Sequence, residues 1–270
     1  MKDIFKNLLV PFAKPVLSKI HQYKDIHRGE SCYIFGNGIS LKWFDLSNFA
    51  DKTAIACGSI PFHNDFNKLN VKYMSLVEPW FFYPKLWTIH HPINIAQNIR
   101  KEAFNEIIKR YPEKDFFLNL SNYLAIRSKN ITFLFRDIYD DRLPVDFITR
   151  RINAFHGALR TCILLSIYMG FNHCYLVGCD YTHVPSRSLH FFEKGQGIFI
   201  PQEKYNKDFF EIAKEYIDIT TITLDGTSNF LDAITYKEYT GHNPLFKENV
   251  ELVDDRYLNI LATWSGYSIY

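Results

Sequence analysis

The feature that most restricts this chain is a set of short apolar runs, each stopping at a turn-forming or polar cluster. Residues 31–35 (SCYIF) end in Gly36-Asn37-Gly38, residues 53–57 (TAIAC) in Gly58-Ser59, and residues 73–77 (YMSLV) in Glu78-Pro79. A strand that alternates apolar and polar residues leaves one face wet, whereas a continuous apolar run needs cover on both faces, as in a parallel sheet. The middle of the chain repeats the pattern with a helix attached. His156-Gly157 opens a helical run over residues 158–169, Gly170 stops it, and residues 174–177 form a strand ending in Gly178-Cys179-Asp180-Tyr181. Helix, glycine stop, buried strand and acidic end make half of an α/β repeat. The expected fold class is therefore α/β, a Rossmann-like open, mostly parallel sheet with helices on both faces. In such sheets the ligand crevice lies outside the carboxyl ends of the strands. Gly36 to Ser40, Gly58-Ser59, Glu78-Pro79 and Asp180-Tyr181 are thus expected to converge.

Around this centre, residues 101–112 read as a helix closed by Pro112, residues 206–217 as another, and residues 219–224 as a further strand. The irregular stretch 182–205 directly follows the central strand and is expected to be a lid-like binding loop. Residues 29–270 are expected to form one domain, and residues 1–28 stand apart. There, six basic residues face two acidic ones, with Ile4, Phe5, Leu8, Leu9, Phe12, Val16, Leu17 and Ile20 at roughly helical spacing. Two readings stay open for this segment: a peripheral helix on an anionic membrane surface, or a helix packed on its own domain.

Composition narrows the classes. A net charge of +2 gives no general attraction to nucleic acid, and 47% apolar with 22% charged residues describes an ordinary folded protein. Aromatics are abundant, at 24 Phe, 17 Tyr and 4 Trp, enough to fill a core and also to line a groove for sugar or base stacking. The five cysteines contain no C-x-x-C pair and most lie in apolar runs, which fits buried thiols in a reduced cytoplasm. No stretch approaches a membrane span, and Pro11, Lys14 and Pro15 interrupt the segment that a signal peptide would need.

Several chemistries are disfavoured by spacing. The third glycine of a dinucleotide fingerprint would fall at Leu41, the second strand ends without a ribose-binding acid, and no phosphate-loop motif exists. What remains at Gly36-Asn37-Gly38 is a turn with backbone N–H groups, the Asn37 amide and the Ser40 hydroxyl, suited to phosphate or ribose, or else a plain tight turn. No histidine or thiol spacing fits a zinc site. His90-His91-Pro92 are adjacent loop residues, and Asp137, Asp140 and Asp141 read as a solvated turn rather than as the metal motif of a nucleotide-sugar enzyme. His183 and His190 lie in the loop after Asp180, where an imidazole can act as general base on a ligand at the strand ends.

The run Gly36-Asn37-Gly38-Ile39-Ser40-Leu41-Lys42, followed by His156-Gly157 and by Gly178-Cys179-Asp180-Tyr181, resembles the Campylobacter-type bacterial sialyltransferases. His190 to Gly197, with Tyr205, Ala213-Lys214 and Thr223 to Asn229, resembles the related DUF115 proteins, which include motility-accessory-factor glycosyltransferases and a pterin pyrophosphokinase. The resemblance implies a metal-independent, inverting glycosyltransferase. It would move a sialic-acid-like sugar from a CMP-activated donor to a glycan acceptor hydroxyl, building a surface polysaccharide on the cytoplasmic face of a bacterial membrane. By position it implies that Gly36, Asn37, Gly38 and Ser40 meet the nucleotide. Gly58, Ser59, Glu78, His156, Gly157, Asp180 and Thr182 would complete the donor pocket. His190 or His183 would be the base, and Tyr181 would assist the departing phosphate, since the family tyrosine two places after the aspartate is Thr182 here. The same resemblance leaves two rivals, a DUF115-type nucleotide-dependent pyrophosphokinase and a non-catalytic binding protein of this fold.

Overall fold

A computed structural model describes residues 13–83, 92–134, 158–182, 186–201 and 207–270. In chain order the strands are β1 (Ser31–Phe35), β2 (Thr53–Cys57), β3 (Val71–Leu76), β4 (Asp115–Asn119), β5 (Ile131–Leu134), β6 (His173–Val177), β7 (Ser186–Arg187), β8 (Phe199–Ile200), β9 (Asp218–Thr223) and β10 (Asp232–Thr235). Eight of them form one sheet in the order β10-β9-β6-β1-β2-β3-β4-β5, and every pairing in it is parallel. The fold is thus an α/β, Rossmann-like sheet. β7 and β8 pair antiparallel, as a small two-stranded sheet outside it.

The apolar runs do what their lack of alternation requires. Along β1, Tyr33 and Phe35 enter one hydrophobic cluster while Cys32 and Ile34 enter another, and β2 divides Ala54 and Ala56 from Ile55 and Cys57 in the same way. One face is covered by Ala103, Phe104, Ile107 and Ile108 of the helix Pro92–Arg110, with Tyr257, Leu258 and Leu261 of the helix Asp255–Ala262. The other is covered by the helix Ala158–Met169, in which ten residues are buried, and by Phe209, Phe210 and Ala213 of the helix Lys207–Ala213. All five cysteines are buried free thiols. None of the described helices is long and apolar enough to cross a membrane.

Differences from the sequence-based expectation have local causes. The helix expected from residue 101 begins at Pro92, whose fixed φ suits the first helical position, and it ends at Arg110, just ahead of the residue before Pro112. β4, β5 and β10 are further strands that the sequence-based expectation did not include. β5 also places an apolar strand shortly before Asp137, Asp140 and Asp141, which themselves lie outside the described residues, as do His90 and His91.

The N-terminal segment does not stand apart from the domain over its described part. Leu17, Ile20 and Tyr23 are at most 3% exposed, Tyr23 and Ile20 sit in the second cluster, and Lys19 Nζ donates to the Ile131 carbonyl of β5 at 2.8 Å. Burying side chains such as Leu17 and Ile20 contributes about 1.5–3 kcal/mol each, so this face is occupied by protein. Residues 1–12 lie outside the described residues.

Candidate functional site

The chain runs from β1 to β2 and onward to β5 on one side of the sheet, then returns to place β6, β9 and β10 on the other. The strand order therefore reverses between β1 and β6, and the crevice of an open α/β sheet belongs at that point. A cavity of about 510 Å³ lies there, within the range of a small-molecule site. Its lining brings together Gly36, Asn37, Gly38, Gly58, Ser59, Glu78, Asp180, Tyr181 and His190, contributed by the ends of β1, β2, β3 and β6 and by the loop after β6.

The turns after β1 and β6 are locked to each other. Gly36 N donates to Val177 O at 2.8 Å, Gly38 N to Gly178 O at 2.7 Å, and Ser40 N to Asp180 Oδ2 at 2.8 Å. A Cβ on Gly38 would stand 2.5 Å from Asp180 Oδ2 and 2.6 Å from Gly178 O, so only glycine permits this approach. Gly178 is held at φ +69°, a left-handed conformation that favours glycine. The expectation that the turn offers free backbone N–H groups is therefore corrected for Gly36, Gly38 and Ser40. Asn37 ties the turn to β2 by accepting from Ser59 N at 3.0 Å.

Two expected residues lie elsewhere. Thr182 is 0% exposed and is not part of the lining; its hydroxyl donates to Cys179 O at 2.7 Å and meets Thr221 Oγ1 at 3.3 Å. Ser40 is also outside the lining, and its buried hydroxyl has no partner among the described residues. His156, Gly157, His183 and Tyr205 fall outside the described residues, although Ala158 and Leu159 directly after His156-Gly157 do line the cavity.

The loop after β6 reaches the cavity wall at His190. His190 forms a bridge with Gly38, Phe191 N donates to Asn37 O at 3.1 Å, and Phe191 and Phe192 are at most 1% exposed. Lys42, itself 0% exposed, donates from Nζ to Glu193 O at 2.8 Å, to Gly195 O at 2.6 Å and to Glu248 Oε2 at 3.0 Å. Burial lowers the Lys42 pKa, with the Glu248 carboxylate opposing it. His190 Nδ1 lies 2.6 Å from Glu193 Oε2, and its ring stacks on Phe192 at 4.9 Å.

Sequence reasoning missed the lining that arrives from outside the sheet ends. Arg100 and Phe104 come from the helix Pro92–Arg110, Phe81 from the loop after β3, and Tyr267 from the C-terminal tail. The Arg100 guanidinium packs 5.5 Å from the Trp264 ring and 5.8 Å from the Tyr267 ring, and its buried Nε has no partner among the described residues. Pro92 was the available signal for this helix; nothing local marks Tyr267. Burial pushes the Tyr181 and Tyr267 hydroxyls upward in pKa, Arg100 opposing it at Tyr267, so both remain O–H donors at neutral pH. Among the described residues no group of three His, Cys, Asp or Glu side chains is placed to hold a metal ion.

Compared with protein-family models and with curated proteins, the sequence matches none. Solved structures do show a likeness. The sialyltransferase CST-II in complex with a trisaccharide acceptor and CMP aligns over 87% of this chain and 99% of its own, at 14% identity and a TM-score of 0.44. The monofunctional α-2,3-sialyltransferase Cst-I from Campylobacter jejuni aligns over 82% of this chain and 84% of its own, at 15% identity and a TM-score of 0.44. The MAf glycosyltransferase from Magnetospirillum magneticum AMB-1 aligns over 93% of this chain, which spans 41% of that protein, at 12% identity and a TM-score of 0.42.

Proposed function

We propose that this protein is a glycosyltransferase that moves a sialic-acid-like sugar from a CMP-activated donor to a hydroxyl of a surface-glycan acceptor. No metal is required and the anomeric centre inverts. The observation that carries this reading is one cavity at the β1–β6 switch point that gathers an imidazole, two protonated tyrosine hydroxyls and a guanidinium: His190, Tyr181, Tyr267 and Arg100. The motif resemblance at Gly36-Asn37-Gly38 and Asp180 supports the choice of donor.

Each group has a role in such a transfer. Arg100 carries the fixed positive charge that an anionic donor needs, and a guanidinium can pair with phosphate or carboxylate by two parallel hydrogen bonds. Tyr181 and Tyr267 supply O–H donors to the departing phosphate, where charge develops. His190 takes the proton of the acceptor hydroxyl as its oxygen attacks the anomeric carbon. The bond from that carbon to the CMP phosphate oxygen breaks, and its electron pair leaves with CMP. The donor already holds a good leaving group, so positioning, proton removal and charge stabilisation are the chemistry left to the protein.

A thermal-shift series tests the reading. At a hundredfold excess over Kd, CMP is expected to stabilise the protein by about 2.7 kcal/mol, a rise of roughly 5–10 °C, and ATP with Mg²⁺ is expected to do nothing. Arg100→Gln should weaken CMP binding by about tenfold. A shift with ATP and Mg²⁺ equal to that with CMP would overturn the transferase in favour of a pyrophosphokinase.

A further inference from the structure

The turn from His190 to Glu193 closes on itself more tightly than a chain reversal requires. Glu193 N donates to His190 O at 2.9 Å, while the Glu193 side chain returns so that Oε2 accepts from His190 N at 2.9 Å and meets His190 Nδ1 at 2.6 Å. Its other oxygen accepts from Ser268 N at 3.1 Å, on the tail that carries Tyr267. The Glu193 side chain is 3% exposed and that of His190 29%. A nearly buried carboxylate thus holds an imidazole that itself reaches the cavity.

Resting on the transferase reading above, we propose that Glu193 is the positioning residue of His190: it fixes the ring with its proton on Nδ1 and leaves Nε2 to accept the acceptor proton. A carboxylate only accepts hydrogen bonds, so the nitrogen against it must carry hydrogen, and the ring's lone pair is then at Nε2. When Nε2 takes the proton, the imidazolium stands beside the carboxylate, which stabilises it. Stacking on Phe192 and an edge contact from Tyr267 at 5.5 Å hold the ring plane.

A merely structural bracket would not need the charge. Three donors, His190 N, His190 Nδ1 and Ser268 N, claim two oxygens, whereas a glutamine offers one acceptor oxygen and an NH₂ group. Glutamine must therefore either leave a donor facing a donor at Ser268 or present NH₂ to Nδ1 and force the proton onto Nε2. Burial alone would raise the Glu193 pKa, yet the bonds from His190 and Ser268 outweigh it and hold the carboxyl below its ordinary value. Among the described residues, the other titratable groups lining the cavity that His190 reaches are Tyr267, Tyr181, Asp180, Glu78, Arg100, Cys57 and Cys179, and Lys42 donates to the Glu193 carbonyl.

The test combines histidine ¹⁵N NMR on the full chain with turnover of a CMP-activated nonulosonic acid, His190→Ala serving to assign the His190 signals. The wild type is expected to show the Nδ1–H tautomer. Glu193→Gln should disturb that tautomer and reduce kcat by roughly 10- to 10³-fold with donor KM within about threefold. In a His190→Ala background the same change should cost nothing further, because Glu193 acts through that ring. A wild-type tautomer and kcat in Glu193→Gln would overturn the proposal, as would a full additive loss in the double variant. Should Glu193→Gln fail to fold, an Nε2–H tautomer in the wild type overturns it equally. Absence of any transfer, with the tautomer and its Gln sensitivity as expected, would remove the function proposed above and not the pairing.

Discussion

The cavity has two kinds of lining, and they differ in what their polar groups do. At the sheet ends, the N–H groups of Gly36 and Gly38 are bonded to Val177 and Gly178, and Asn37 Oδ1 holds Ser59, so this side mainly joins β1, β2 and β6. From outside the sheet come Arg100, Tyr267 and His190, brought to the cavity by a helix, a tail and a loop. The difference teaches that a glycine motif at a strand end marks where a site is, through close backbone packing, without itself supplying most of the chemistry.

Substitutions on the two sides should therefore fail in different ways. The largest effect is expected from His190→Ala, which should lower kcat by roughly 10²–10⁴-fold, about 3–5 kcal/mol in the barrier, with CMP affinity nearly unchanged. Full activity in that variant would remove the division between scaffold and chemistry. On the scaffold side, Gly38→Ala drives a methyl into the Asp180 carboxylate and the Gly178 carbonyl. A loss of about 3 kcal/mol in urea denaturation is expected, and a loss under about 1 kcal/mol would show that the turn yields without harm.

The smallest effect concerns pH, read at His63, whose ring lies 5.4 Å from Phe191 beneath the wall loop. Burial pushes its pKa from 6.5 to about 4, so the unfolded chain binds this proton more readily than the folded one. The stability it contributes is complete above pH 6.5 and falls as pH drops toward 4, by about 2 kcal/mol between pH 7.5 and 5. His63→Asn should flatten that part of the stability curve. An unchanged slope would mean that other groups dominate acid sensitivity.

Legibility followed locality. β1, β2 and the helix Ala158–Met169 could be read from the sequence to the residue, because uninterrupted apolar runs and glycine stops are local signals. So could the meeting of four strand ends, which follows from parallel topology. Thr182 could not be placed: its neighbours suggest a strand-end loop, but a 3-10 turn carries it inward against Thr221 of β9. Neither could the N-terminal segment, whose amphipathic pattern is the same whether a membrane or β5 covers it. Arg100 was hidden because the first turns of its helix lack a strong apolar stripe.

By itself the sequence determined the α/β class, a crevice at the carboxyl ends of the strands and the two strand-end turns, since each depends on period, glycine geometry and the covering of both sheet faces. Tertiary structure alone decided that Arg100 and Tyr267 join the cavity and that the Glu193 carboxylate backs His190. Arg100, His190 and Tyr267 meet there only after the chain has closed. A carboxylate such as Glu193 acquires its meaning from burial and from the imidazole folded against it, and neither of these is written in its neighbours.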